Sequence, residues 1–151
     1  MDALLLRDVE LAEGCPTKAG LPVAYRDGKG NWTGGYGHLL GPGDWNGYTF
    51  GWSMVDEWLQ DDLAAAAHQA QTLPEWGALD TPCRENALIE CVFNLGLGHW
   101  TTEFPLTRRA MGIKDWQGTH DNLLRSPDWI KDVGLARVTR LAQYFLTGTY
   151  P

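Results

Sequence analysis

Eleven of the chain's eighteen glycines fall between Gly14 and Gly51, a stretch of 38 residues. Each glycine in a helix interior costs about 1 kcal/mol relative to alanine. That density therefore rules out a long helix there and predicts turns and short strands. The flanking segments are poor in glycine and periodic in apolar residues, and they read as helices. The expected class is α+β and mainly helical. A small β lobe over about 14–52 and a linking helix over about 53–73 are expected to join a helical lobe made of 1–13 and 75–151.

The spacing predicts a first helix over 2–13, with Leu5, Val9 and Ala12 as its apolar stripe and Gly14 just past its end. "VAYRD" (23–27) and "NWTGGYGH" (31–38) read as a hairpin around "GKG", and "GYTFGW" (47–52) as a third strand. Ser53 is expected to cap the longest helix, with Asp56 completing a capping-box-like start. Val55, Leu59, Leu63, Ala66, Ala70 and Leu73 keep steps of three or four along it, and Pro74 ends it. Thr81 and Pro82 open a helix expected to be central and buried. Shorter helices are expected over 101–112, 115–124 and 127–132. A last helix spans 135–146, with Leu135, Val138, Ala142 and Phe145 inward.

At 151 residues one domain is expected, large enough for a core without staples. The net charge of −7 argues against nucleic acid, whose binding rests on Lys and Arg neutralising phosphates. The three cysteines, Cys15, Cys83 and Cys91, do not read as a disulfide framework. Cys83 and Cys91 lie eight apart on one helix, about 12 Å between Cα atoms, so they are not bonded to each other. Reduced thiols are the simpler reading. "ALLL" is too short for a secretory signal, and no run approaches the roughly 20 apolar residues of a membrane span.

Several chemistries fail on their motifs. "GKGNWTG" has the wrong glycine spacing for a dinucleotide site and no helix after it. There is no P-loop, no H-E-x-x-H, no C-x-x-C and no G-x-S-x-G. Neither a metal nor a cofactor is expected.

A carboxylic acid at a helix end, facing a carboxylate on a glycine-rich hairpin, survives. Glu13 lies in the last turn of the first helix, at the edge of the apolar stripe. The helix dipole and partial burial both disfavour a negative charge there, which suits a general acid. A solvated glutamate that happens to precede a cap glycine is the competing reading, and helix physics alone favours it. Asp27 and Thr33 flank the hairpin turn, so they can converge on one water, the hardware for activating a nucleophile in glycoside hydrolysis. Asp-Gly is also a common turn pair.

"EG…AYRDGKGNWTGGYGH" resembles the catalytic signature of the phage-type lysozymes, glycoside hydrolase family 24, which are endolysins. Glu13-Gly14, Tyr25-x-Asp27 and Trp32-Thr33-x-Gly35-Tyr36-Gly37-His38 match its pattern. "NALIECVFNLG" (86–96) is similar to the family's central helix. Trp129, Arg137 and "FLTGTY" (145–150) are similar to its C-terminal end. The resemblance favours the catalytic reading of Glu13. It implies a lysozyme-like fold with a cleft between the lobes, and cleavage of the β-1,4 bond between N-acetylmuramic acid and N-acetylglucosamine in peptidoglycan. In that scheme Glu13 is the acid and Asp27 with Thr33 holds the attacking water. Arg137 orients Glu13, while Leu39, Phe93, Thr107 and Asn122 contact substrate. His38 resembles a residue that pairs with an aspartate on the long helix. Asp62, at the edge of that helix's apolar stripe, is the better candidate than Asp61.

The resemblance further implies an inverting enzyme, a monomer with peptidoglycan as its partner, and no stable membrane insertion. It would be made in the host cytoplasm and act on the wall from the periplasmic side, after a holin-type membrane lesion. Two features depart from the family pattern. The path from Glu13 to Asp27 is longer than usual, with "CPTKAG" as the insertion and Glu10 as the alternative acid. Gly34 stands where a branched apolar residue is usual. A lytic transglycosylase and a non-catalytic wall-binding module are the rival functions.

Overall fold

The computed structural model describes residues 1–151. The chain forms two compact units, Met1–Ala65 and Ala66–Pro151.

The first unit opens with helix α1 (Ala3–Glu13). Asp2 caps it, its carboxylate accepting from the Leu4 and Leu5 amides at 2.8 and 3.3 Å. Gly14 closes it with φ 66°, its N–H donating to the Glu10 carbonyl. Leu5 and Val9 are buried as expected. Ala12 is exposed, and Asp8 takes its place beside Val9 on the buried face.

Five short strands follow. The "CPTKAG" insertion folds into its own hairpin of β1 (Thr17–Lys18) and β2 (Leu21–Pro22). Ala19 and Gly20 turn it with φ of 52° and 80°, the pair of positive values that type I′ hairpins need. A three-stranded antiparallel sheet is built from β3 (Tyr25–Arg26), β4 (Trp32–Gly34) and β5 (His38–Leu39), in that order. Tyr25 pairs with Thr33, and Thr33 with Leu39.

The expected long strand over 31–38 is thus a strand, a turn and a second strand. Gly35 and Gly37, at φ 59° and 92°, reverse the chain within it. The expected third strand over 47–52 is reduced to a single bridge, Val23 to Thr49. It is fastened by Ala24 N–H to Tyr48 O and Phe50 N–H to Pro22 O, each 2.8 Å.

Helix α2 (Trp52–Gln71) begins one residue before the expected cap. Its first turn is satisfied by the Gly51 carbonyl, which accepts from Met54 and Val55, so Ser53 lies inside the helix rather than capping it. Every residue of the expected stripe from Val55 to Leu73 is buried. The boundary between the units falls within α2, after Ala65.

In the second unit a 3-10 turn (Pro74–Ala78) precedes α3 (Pro82–Leu95). Thr81 caps α3 as expected, its hydroxyl accepting from the Arg84 amide at 3.2 Å. Nine of its fourteen residues are buried, so α3 is sheathed on nearly all sides. The expected helix over 101–112 is two, α4 (Leu97–Glu103) and α5 (Pro105–Gly112), because Pro105 donates no N–H and starts a new helix. Then come α6 (Trp116–Leu123), α7 (Pro127–Val133) and α8 (Leu135–Thr147). Val138, Leu141, Ala142 and Phe145 form the inner face of α8. Leu135, expected inward, is instead 60% exposed in the opening turn of the helix. The fold is therefore α+β and mainly helical, with eight α-helices and two small antiparallel sheets.

Two buried carboxylates organise the second unit. Glu90, 1% exposed at the middle of α3, accepts from Arg137 Nε at 3.0 Å and from Arg140 Nη2 at 2.6 Å, both on α8. Glu75 accepts from Arg108 Nε at 2.6 Å and from Trp100 Nε1 at 3.1 Å. Burial pushes its carboxyl up, and the Arg108 and Trp100 donors outweigh that, leaving it below the usual carboxylate range. No disulfide joins Cys15, Cys83 and Cys91, and Cys15 is only half-buried. No helix is long and apolar enough to cross a membrane.

Candidate active site

Glu13, Asp27 and Thr33 all belong to the first unit, on α1, just past β3 and on β4. Glu13, the last residue of α1, is half-buried, and its Oε2 lies 4.0 Å from where a Cβ on Gly37 would stand. Gly37, in the turn between β4 and β5, thus lies beside the acid. Tyr25 on β3 donates its hydroxyl to the Gly35 carbonyl at 3.4 Å. Burial pushes its phenol up and the Glu13 charge adds to that, against an opposing hydrogen bond with the Gly37 backbone.

Asp27 is fixed by its own turn. Its Oδ1 accepts from the amides of Asn31 at 2.8 Å and Lys29 at 2.9 Å, and its Oδ2 from Asn31 Nδ2 at 3.4 Å. The Asn31 amide is the largest influence holding its carboxyl below the usual range, with the Lys29 amide and charge helping. Asp27 is therefore a carboxylate with one oxygen committed to the backbone.

Thr33 is 2% exposed, and its hydroxyl donates to the Asn31 carbonyl at 3.0 Å. Thr33 pairs with Tyr25, and the Asp27 amide donates to Asn31 O at 2.9 Å. Continuing that register places Asp27 opposite Asn31, so Asp27 and Thr33 are diagonal neighbours on one face of the sheet. Asn31 touches both, and it is the residue that reading the motif missed. Its signal was present: an Asx residue beside glycines in a turn bonds local backbone.

The far end of the hairpin is tied to α2. His38 Nδ1 lies 2.8 Å from Asp62 Oδ2. The imidazole also stacks on Trp58, centroids 4.6 Å apart and planes 13° from parallel. Trp58 continues edge-on to Phe50. These rings occupy the space that the branched residue expected at position 34 would need. A Cβ on Gly34 would stand 3.0 Å from Trp58, 3.1 Å from Leu40 and 3.3 Å from Phe50.

Of the remaining sequence candidates, Leu39 belongs to the first unit and is 62% exposed at the end of the sheet. Phe93, Thr107, Asn122 and Arg137 belong to the second. There Phe93 and Asn122 are half-buried, Thr107 is buried on α5, and Arg137 is buried against Glu90.

The arrangement suits acid-assisted displacement. It offers a carboxyl at a helix end, a hydrogen-bonded carboxylate and a hydroxyl on one sheet face, and a neighbouring phenol. A comparison with curated proteins finds no match. The family model described as phage lysozyme matches residues 12–142, taking in Glu13, Asp27 and Thr33 and leaving Glu10 outside. That span is most of the chain, which belongs to the phage lysozyme family of peptidoglycan-degrading, glycoside-hydrolase-type enzymes.

Proposed function

We propose that the protein is an endo-acting muramidase that hydrolyses the β-1,4 bond between N-acetylmuramic acid and N-acetylglucosamine with inversion. The observation that carries this reading is the fixing of Asp27 as a carboxylate on the same sheet face as Thr33, with Asn31 bonded to both. Glu13 protonates the leaving glycosidic oxygen. Asp27 accepts a proton from the water as it attacks the anomeric carbon, and Thr33 orients that water. Glu13 is preferred to Glu10 because it lies beside Gly37 and within the family match.

In the same reading Arg137 orients Glu13, and Leu39, Phe93, Thr107 and Asn122 contact the sugars. His38 and Asp62 are structural, anchoring the hairpin to α2. The protein acts as a monomer in phage-induced lysis. It reaches the wall from the periplasmic side through a holin-type lesion.

A turbidity assay on permeabilised cells tests the central assignment. Glu13→Gln is expected to lower the rate by at least a hundredfold, and Glu10→Gln to leave it near wild type. An unaffected Glu13→Gln would overturn the assignment and favour a wall-binding module. Product mass spectrometry should show water added across the bond, whereas an anhydro sugar would mean a lytic transglycosylase. The anomer formed first, followed by NMR, reports inversion or retention.

A further inference from the structure

Tyr25 stands on the sheet face that carries Asp27 and Thr33. It pairs directly with Thr33, and Asp27 follows two residues later, so the three side chains leave the sheet on one side. The half-buried phenol reaches the turn between β4 and β5. Its oxygen lies 3.4 Å from the Gly35 carbonyl and takes a hydrogen bond from the Gly37 backbone. Glu13 Oε2 flanks the same glycine, 4.0 Å from where its Cβ would stand. We propose that Tyr25 is a positioning residue for Glu13, turning its hydroxyl from the Gly35 carbonyl to the Glu13 carboxylate as that acid gives up its proton. The inference rests on the assignment of Glu13 as the acid and adds the group that answers the charge left behind.

Hydrogen-bond capacity supplies the first argument. A phenol has one O–H to donate. At 3.4 Å its bond to Gly35 is at the long limit, so the proton is weakly held there. A carboxylate is a stronger acceptor than a neutral carbonyl. Rotation about the phenol C–O bond is enough to redirect the donor, and the Gly37 backbone holds the oxygen in place meanwhile.

Timing supplies the second. As the glycosidic C–O bond breaks, its electron pair goes to the leaving oxygen, which takes the Glu13 proton. Asp27 takes the proton of the attacking water. Tyr25 keeps its own O–H bond throughout and only re-aims it. Its interaction with Glu13 is therefore stronger once the carboxylate forms than in the ground state, the kind that lowers a barrier.

The surroundings supply the third. Burial, the Glu13 charge, Cys15 just past α1 and Asp27 in the adjoining turn all push the phenol up, against the Gly37 hydrogen bond. Tyr25 accordingly stays a neutral donor at the pH where Glu13 works.

Two measurements test this. Tyr25→Phe removes the hydroxyl alone. On soluble glycan chains from peptidoglycan it should lower kcat about tenfold and leave KM within roughly twofold. Wild-type kcat would overturn the proposal, as would a raised KM at unchanged kcat. The second is an NMR titration of tyrosine ring-carbon signals, which needs no turnover. In Glu13→Gln the Tyr25 phenol should ionise at lower pH than in wild type, whereas Tyr36, whose neighbours are Glu10, Cys15 and Asp56, should not move. An unmoved Tyr25, or equal shifts at both tyrosines, would overturn the proposal. If Tyr25→Phe does not fold, the titration decides alone. Wild-type wall cleavage by Glu13→Gln would refute the proposed function, whereas the titration reports only on the link between Tyr25 and Glu13.

Discussion

Asn31 shows how much one turn residue can hold. Its amide and side chain donate to Asp27, and its carbonyl accepts from Thr33. Asn31→Ala keeps the three backbone bonds and removes the Nδ2 donor, so a loss of activity of no more than about tenfold is expected. Asp27→Asn should cost far more, since its amide accepts no proton. The acid limb of the pH–rate profile gives a further check. Asp27 is held below the usual carboxylate range, so it stays ionised as pH falls through that range and protonates only beneath it. The limb it governs should accordingly lie below the range of a free carboxylate, and a limb at or above that range would contradict its role as base. Position 34 makes a second point at this scale. Restoring a branched residue with Gly34→Ile is expected to destabilise by about 2 kcal/mol or more in urea unfolding, because Trp58, Leu40 and Phe50 already fill the space. Adding Trp58→Leu should recover part of that loss.

Among the elements, α3 and α8 are joined through a carboxylate that neither helix could bury alone. Glu90 satisfies guanidinium groups of Arg137 and Arg140, and its removal leaves them without that partner in a buried setting. Glu90→Ala should therefore destabilise by roughly 3–5 kcal/mol, read as a lowered melting temperature. The Glu75–Arg108 pair carries a pH signature. Glu75 has a depressed folded value, so its contribution is present above the unfolded carboxylate range and is lost as pH falls through the folded value. Arg108→Met should weaken that acid dependence as well as the stability at neutral pH. Much of the element plan was legible. The α2 stripe, the Thr81 cap and the Gly14 terminator are local patterns whose physics lies within a few residues. The strand expected at 47–52 was not, because whether a segment becomes a strand or a single bridge depends on the partner it meets. The break at Pro105 was missed in the expected helix over 101–112, although proline at a first helical position is a local signal.

For the whole molecule, charge is unevenly shared. Residues 1–65 have four basic and ten acidic side chains, and residues 66–151 have eight and nine. An acidic enzyme approaching an anionic wall is slowed by long-range repulsion, which salt screens. Raising ionic strength from about 10 to about 100 mM, where the Debye length falls from 30 to 10 Å, should raise the lysis rate. A monotonic fall would mean that a local basic surface dominates the encounter.

By itself the sequence determined the helical periodicities, the caps and the spacing of Asp27 to Thr33, all of which are set by neighbours along the chain. It also carried the family signature. Tertiary structure alone decided which strand completes the sheet and how Trp58 and Phe50 close over Gly34. It likewise decided that Glu90 and Glu75 are matched by arginines 33 to 50 residues away. These contacts join residues far apart in the chain, and burial makes each partner obligatory. An unpaired charge or a doubly filled space in the interior costs several kcal/mol, a penalty that no local pattern records.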